Sequence, residues 1–525
     1  MRLSKYSLVM TTVISLASCG EKEVKVADTE QIKPNIIYIL ADDLGYGELG
    51  VFGQHQIETP HIDALAKQGM LFTQHYSSAP VCAPARYMFL TGKHSGNAYI
   101  RGNHEWGDRG NVWDYRAMAK DSTLEGQHPM PKETVTLAQR LQNVGYRTAL
   151  VGKWGLGAPH THSVPNDMGF DFFYGYNCQR QAHTYYPLHL YKNRNRVHLK
   201  NDTIAPHTVF DMRLDSLNPA SYAKFTQPEY APDLMFKEIT GFVKSQGKDP
   251  FFLYWATPLP HVALQAPQKW VHHYIKKFGD EPPFLANKGL GYFPHRNPKA
   301  AYAAMISYLD ENVGKLVQQL KDQGLYDNTL IVFTSDNGPS AAGGVNPEWF
   351  NSSGPFQEQF GKGKGFVYEG GIRVPTFFTW PSKIKAGTES DHPSIHYDMM
   401  ATFGEVAGYP VPEDTDGISL LPTLLGETDQ KQHEFLYWEF PEYGGQVAIR
   451  MGDWKVVRQH VKDKENPTLE LYNLAKDPTE STNIANEHPD ILQKAALIFE
   501  REHTPSELER FQIPLLEQGL LSETY

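Results

Sequence analysis

The sequence predicts an α/β protein: a large, mostly parallel central sheet with helices on both faces, followed by a small C-terminal α+β subdomain with a short antiparallel sheet. Three observations predict it. Apolar runs of strand length alternate with amphipathic, capped segments up to about residue 430. Residues 35–41 are a nearly continuous apolar run, the pattern of a strand covered on both faces. Beyond them the pattern changes to short strands separated by turns, closed by one helix.

The elements follow in order. Residues 35–41 (Asn-Ile-Ile-Tyr-Ile-Leu-Ala) form a fully buried strand. Thr59 and Pro60 open a helix with Ile62, Leu65 and Ala66 on one face, ending before Gly69. Thr134 caps a helix carrying Leu137 and Leu141 that stops at Gly145, and residues 146–151 form the next strand. Residues 251–257 are another apolar strand. Residues 299–323 are the clearest amphipathic helix, with Tyr302, Met305, Ile306, Leu309, Val313, Leu316 and Leu320 on one stripe. Strands at 329–335 and 374–379 complete the alternation, and residues 193–232 read as an irregular insertion near a cleft. The short strands fall at 435–440, 447–450, 454–458 and 469–472, with a helix at 489–502. The domain plan is therefore a leader at 1–18, a tether at 19–33, the catalytic α/β domain at 34–430 and the subdomain at 431–525.

Composition sets the bounds. At 40% hydrophobic and 21% charged residues, the chain is that of a globular protein. A formal charge of −11 argues against a general nucleic-acid partner, which needs a basic face, but allows a local cationic pocket. Arg2 and Lys5 precede a short apolar run, residues 7–16, too short for a permanent span. Leu16-Ala17-Ser18-Cys19-Gly20 then looks like a bacterial lipobox, which implies lipidation at Cys19 and attachment to the cell envelope (periplasm or outer membrane) through that lipid alone. With Cys19 and Cys82 engaged, Cys178 is left as a small buried side chain, and no disulfide framework is expected.

Polar residues at strand ends carry the chemistry, because open α/β sheets bind ligands outside the carboxyl ends of their strands. The first strand runs into Asp42-Asp43 and the strand at 329–335 into Asp336-Asn337. Three carboxylates and an amide oxygen are hard donors, suited to Ca²⁺ or Mg²⁺ rather than zinc. Cations end other segments: Lys153 in Gly152-Lys153-Trp154-Gly155, His261 after Pro260, and Lys364 in Gly363-Lys364-Gly365 ahead of Glu369-Gly370-Gly371. Converging, they would make a pocket for a tetrahedral oxyanion.

Cys82-Ala83-Pro84-Ala85-Arg86-Tyr87-Met88-Phe89-Leu90-Thr91-Gly92 is the most informative stretch. It resembles the type I sulfatases of the alkaline phosphatase superfamily, whose pattern is C-x-P-x-R-x-x-x-x-T-G. In that family a maturation enzyme oxidises the cysteine to Cα-formylglycine, whose hydrate is the nucleophile. The resemblance runs from about residue 34 to about residue 485, where Leu471-Tyr472-Asn473-Leu474 and Asp477-Pro478 are similar to the family's C-terminal signature. It implies a metal, calcium ahead of magnesium, held by Asp42, Asp43, Asp336, Asn337 and the modified Cys82. It also implies catalytic roles for Arg86, Lys153, His261 and Lys364. One hydroxyl of the hydrate would attack the sulfur of a sulfate ester, His261 or Lys364 would protonate the leaving alcohol, and the second hydroxyl would then lose its proton as the C–O bond to sulfate breaks, releasing sulfate and re-forming the aldehyde.

One position departs from the pattern. Many family members read G-K-W-H-L-G, and here Gly155 stands in place of the histidine that assists sulfate release. His160, His162, His183, water or a second use of His261 are the alternatives. Aromatic and basic residues at 179–196 and 101–106 suit a sulfated saccharide, with His183 and Arg101 as candidate substrate contacts. Two rival readings are a phosphodiester or phosphonate monoester hydrolase of the same superfamily and a glycan-binding surface lipoprotein. The second would lack site residues, and apart from the Gly155 position they are present.

Overall fold

The computed structural model describes residues 33–519, except 248, 287–290, 358, 360 and 464–466. The leader at 1–18, Cys19 and almost all of the tether lie outside the described residues. Residues from Lys33 onward belong to one compact unit, so the C-terminal subdomain is a layer of that unit. Among the described residues, no helix is long and apolar enough to cross a membrane.

The strands are, in chain order, β1 (Asn35–Asp42), β2 (Met70–Phe72), β3 (His75–Tyr76), β4 (Arg147–Lys153), β5 (Phe172–Tyr176), β6 (His189–Lys192), β7 (Asn195–His198), β8 (Phe251–Pro260), β9 (Thr329–Ser335), β10 (Thr376–Thr379), β11 (Thr388–Ser390) and β12 (Ser394–Ile395). Ten of them form one sheet in the order β11-β2-β10-β9-β1-β8-β4-β5-β6-β7. Its centre, β9-β1-β8-β4-β5, is parallel, and antiparallel pairs join β10 and β6 to its two sides. Every residue of β1 is buried, as its unbroken apolar run requires, because helices cover both faces. Helices α1 (Pro60–Ala66), α5 (Ala231–Lys244), α6 (Gln268–Phe278) and α7 (Pro298–Asp322) pack on one face. On the other lie α2 (Cys82–Thr91) and α4 (Leu137–Asn143); the short helix α3 (Tyr115–Lys120) packs around Cys178 instead.

Several expected boundaries move for local reasons. Thr136, not Thr134, caps α4, in a reciprocal box with Gln139. Thr59 precedes α1 without capping it, because its hydroxyl donates to Asp63 Oδ1 and accepts from the Gly50 amide. The strand expected at 251–257 extends to Pro260, which carries His261 to the sheet edge. The strand expected at 146–151 runs to Lys153. In the expected irregular insertion, residues 195–198 pair with β6.

A second sheet of four antiparallel strands follows: β13 (Leu436–Phe440), β14 (Gln446–Met451), β15 (Trp454–Gln459) and β16 (Glu470–Asn473), backed by a helix at Pro489–Glu502. A buried ionic knot joins it to the main domain. Lys455 Nζ lies 2.8 Å from both Glu369 Oε1 and Glu480 Oε1. The other oxygen of Glu369 accepts from Tyr76 at 2.7 Å and Arg373 at 3.1 Å. Removing one partner of such a knot strands buried charge. Lys455→Met should therefore lower stability by about 3–5 kcal/mol, read as a fall in the urea midpoint, and a midpoint within error of wild type would refute the coupling.

Candidate active site

The strand order explains how the site assembles. Parallel neighbours β9, β1, β8 and β4 end side by side, so Asp336-Asn337, Asp42-Asp43, His261 and Lys153 meet at one edge. Gly152 is what allows β4 to approach β8 there: its φ is +128°, and a Cβ would lie 1.8 Å from the Ala256 carbonyl.

Each fixed position of the cysteine motif has a structural reason. Cys82 is the first residue of α2, fully buried at the helix start. Pro84 sits in the first turn, where its missing N–H leaves no intrahelical bond unmade. Arg86 follows one turn later, so its side chain lies on the same face as Cys82. Thr91 donates to the Tyr87 carbonyl at 2.9 Å. Gly92 ends the helix with φ +69°, a left-handed cap at which a Cβ would lie 2.7 Å from Met400 Cβ.

The side chains then interlock. Asp42 Oδ2 accepts from Lys153 Nζ at 2.6 Å and lies 3.3 Å from Arg86 Nη2, while Asp42 Oδ1 accepts from the Cys82 thiol at 3.3 Å. Asp336 Oδ2 accepts from Arg86 Nε and Nη2 at 3.2 and 3.0 Å, and Arg86 Nη1 donates to the Lys153 carbonyl at 2.7 Å. Asp43, held at φ +68°, donates its amide to Asp336 Oδ1 and accepts at Oδ1 from Lys364 Nζ (2.5 Å) and Asn337 Nδ2 (2.9 Å). Lys364 Nζ also lies 3.5 Å from Cys82 Sγ. His261 Nε2 is 3.7 Å from Asp43 Oδ2, and its Nδ1 bonds the Val262 carbonyl.

Burial and charge compete here. Burial alone would raise the Asp42 carboxyl, but Lys153, His261, Arg86 and Lys364 outweigh it and hold the group far below the usual carboxylate range. Burial, then the Asp42 charge, pushes the Cys82 thiol far up, so the encoded side chain is a poor thiolate. Burial also drives His261 down to about 4.

The donor set fits a hard dication. Asp43 Oδ2 and Asn337 Oδ1 are buried with no hydrogen-bond partner. Ligand atoms of Asp42, Asp43, Cys82 and His261 lie within 4.8 Å of one another. Asp42, Asp43 and Asp336 against Arg86, Lys153 and Lys364 leave the cluster formally neutral. A dication would turn it positive, the sign an anionic ester needs.

The other expected residues divide. His183 joins the site, stacked on His261 with centroids 5.2 Å apart. Arg101 does not: it is buried elsewhere, with Nη1 on Glu439 Oε2 at 2.9 Å and its other donors on the carbonyls of Ala98, Gly96 and Thr504. His160 and His162 bond Ser122 and the Met130 carbonyl. Gly155 has φ +72°, a conformation that favours glycine, and a Cβ there would lie 3.0 Å from Gln179 Oε1. Sequence reasoning missed Tyr292 and His207, which pack edge-on against His261 and His183. They come from irregular segments with no periodic signal.

Oxygen donors and cations gathered at the strand ends of an α/β sheet are the equipment of a metal-assisted hydrolase of anionic esters. The sulfatase family model matches residues 34–409, and the model for N-sulphoglucosamine sulphohydrolase, C-terminal, matches 359–500. The chain belongs to the sulfatase family and is a sulfatase. It is 28% identical to N-acetylgalactosamine-6-O-sulfatase of Bacteroides thetaiotaomicron, over 96% of this chain and 99% of that one. It is 30% identical to human arylsulfatase A, over 92% of each. A solved structure of Ps i-CgsB in complex with k-i-k-neocarrahexaose matches with a TM-score of 0.70 and 26% identity, over 94% of this chain and 97% of that one.

Proposed function

We propose that the protein hydrolyses sulfate esters of a sulfated carbohydrate, using Cα-formylglycine made from Cys82 by a maturation enzyme and a calcium ion held by Asp42, Asp43, Asp336, Asn337 and residue 82. The observation that carries this is the cluster around Cys82, in which Lys364 and Asp42 touch its sulfur and Arg86 and Lys153 hold Asp42, beside two buried oxygens that have no partner among the described residues. The hydrated aldehyde supplies a nucleophilic hydroxyl that the encoded thiol does not, and the ion supplies Lewis acidity.

The protein's own groups do the rest. Arg86 and Lys153 are sealed beneath the cluster, with side chains at 1% and 0% exposure, and offset negative charge there. Lys364 keeps 18% exposure, the most of the three cations. The Val262 carbonyl can only accept, so His261 carries its hydrogen on Nδ1 and presents a bare Nε2 to the cluster. Lys364 is therefore the group that protonates the leaving oxygen, and His261 Nε2 is an acceptor. Sulfated saccharide relatives and an oligosaccharide-bound neighbour support a sugar substrate. A lipid at Cys19 would tether the enzyme to the cell envelope.

Mass spectrometry of the peptide spanning residue 82 from the natural host should show the aldehyde, and Cys82→Ala should fold normally with turnover lost; an unmodified, active thiol would sink the mechanism. Lys364→Ala should lose about 10²–10⁴-fold on poor leaving groups and far less on nitrophenyl sulfate. Equal losses across leaving groups would instead assign Lys364 to charge stabilisation alone. Cys19→Ser should move the protein from membranes to the soluble fraction, and an unchanged distribution counts against the anchor.

A further inference from the structure

The turn at Gln179–His183 lies against the catalytic cluster. Its last residue stacks on His261, and its first fills the space beside Gly155. Between them stands Arg180, only 7% exposed, with Cζ 4.4 Å from the centroid of the Trp113 ring. Its Nε and Nη1 are buried and have no hydrogen-bond partner among the described residues. Among the described residues no carboxylate forms an ion pair with it.

Glu105 and Asp114 lend it opposite charge, but among the described residues neither hydrogen-bonds it. Glu105 Oε1 takes the Gln127 amide at 2.6 Å, and the Cys178 thiol lies 3.8 Å from its Oε2. Asp114 caps α3 by accepting from the amides of Arg116 and Ala117. Arg101 and Arg196, also shielded from solvent, each have a carboxylate partner. A shielded guanidinium with idle donors is costly unless a ligand completes it. Trp113 is 62% exposed and offers the remainder of its ring to solvent, a flat surface of the kind sugar rings pack on. His207 packs on His183, which stacks on His261, so the turn that carries Arg180 is tied to the cluster through its last residue.

We infer that Arg180 and Trp113 form a subsite for a second anionic group, a sulfate or a carboxylate, carried by the same saccharide whose sulfate ester enters the Cys82 cluster. The substrate class is then a multiply anionic saccharide. This deepens the proposed function and rests on it. Arg180 selects substrate; it does not touch the reacting atoms.

The test uses disaccharides matched in sugar: one with the cleavable sulfate alone, one with a second sulfate, one with a uronate. Arg180→Met should reduce the ratio of kcat/KM for doubly over singly anionic substrate by about 10- to 100-fold, the effect of one or two charge-assisted hydrogen bonds. The change should fall mainly in KM, with Arg180→Lys restoring part of it. The arm that collapses identifies sulfate or carboxylate. A ratio unchanged by Arg180→Met, or equal losses on all three substrates, overturns the inference. If the enzyme cleaves nitrophenyl sulfate but none of the disaccharides, the saccharide reading has failed. Calorimetric binding of the same disaccharides to Cys82→Ala then decides the subsite separately. An Arg180-dependent preference for the second anion supports it, and no preference overturns it.

Discussion

The buried carboxylate of Asp42 is the constraint on which the rest of the site depends. It sits at the end of the central strand with no access to water, where an unpaired charge would cost several kcal/mol. The groups that hold it ionised come from four separate places: Arg86 from the helix that starts at Cys82, Lys153 from the end of β4, His261 from just beyond β8, and Lys364 from a glycine-rich loop. None of these is near Asp42 in sequence. The charge cluster therefore forms only when strand order, helix placement and loop position are all correct. Once formed, it resists their displacement.

That loop shows why the C-terminal sheet belongs to the site. Lys364 lies in neither helix nor strand, so neighbours must fix its backbone. Its own amide donates to the Pro339 carbonyl, and the next amide, of Gly365, donates to the Pro80 carbonyl two residues before Cys82. The Gly365 carbonyl accepts from the Gln446 side chain of β14, and Trp438 of β13 donates to the Ser77 carbonyl. The second sheet thus braces both the cation and the segment leading to the nucleophile position. Its ionic knot around Lys455 anchors that brace just beyond the loop, at Glu369.

What the sequence made legible is what local patterning controls. The unbroken apolar runs of β1, β8 and β9 announced buried parallel strands. The polar pairs after them fell at strand ends, so the acid and amide donors could be named. The helix at Pro298–Asp322 followed from its stripe within a residue at each end. Errors arose where tertiary contacts decide. Thr136 caps α4 because Thr134 sits in a turn closed on Pro131. Arg101 reads as a substrate contact from its polar-aromatic surroundings in sequence, yet Glu439, from a strand more than 300 residues away, captures it. Arg180, which lacks such a partner, looks no different in sequence.

The Gly155 position ties these threads together. In a chain with a side chain at 155, that side chain and the Gln179 amide would compete for one space, and a positive φ would add strain. Glycine removes both conflicts. Gly155 donates its amide to the Asn177 carbonyl, and the Gln179–His183 turn closes down beside the cluster. The turn that brings His183 onto His261 also carries Arg180, so the residue type at 155, the stacking of His183 and the placement of Arg180 all depend on one short segment.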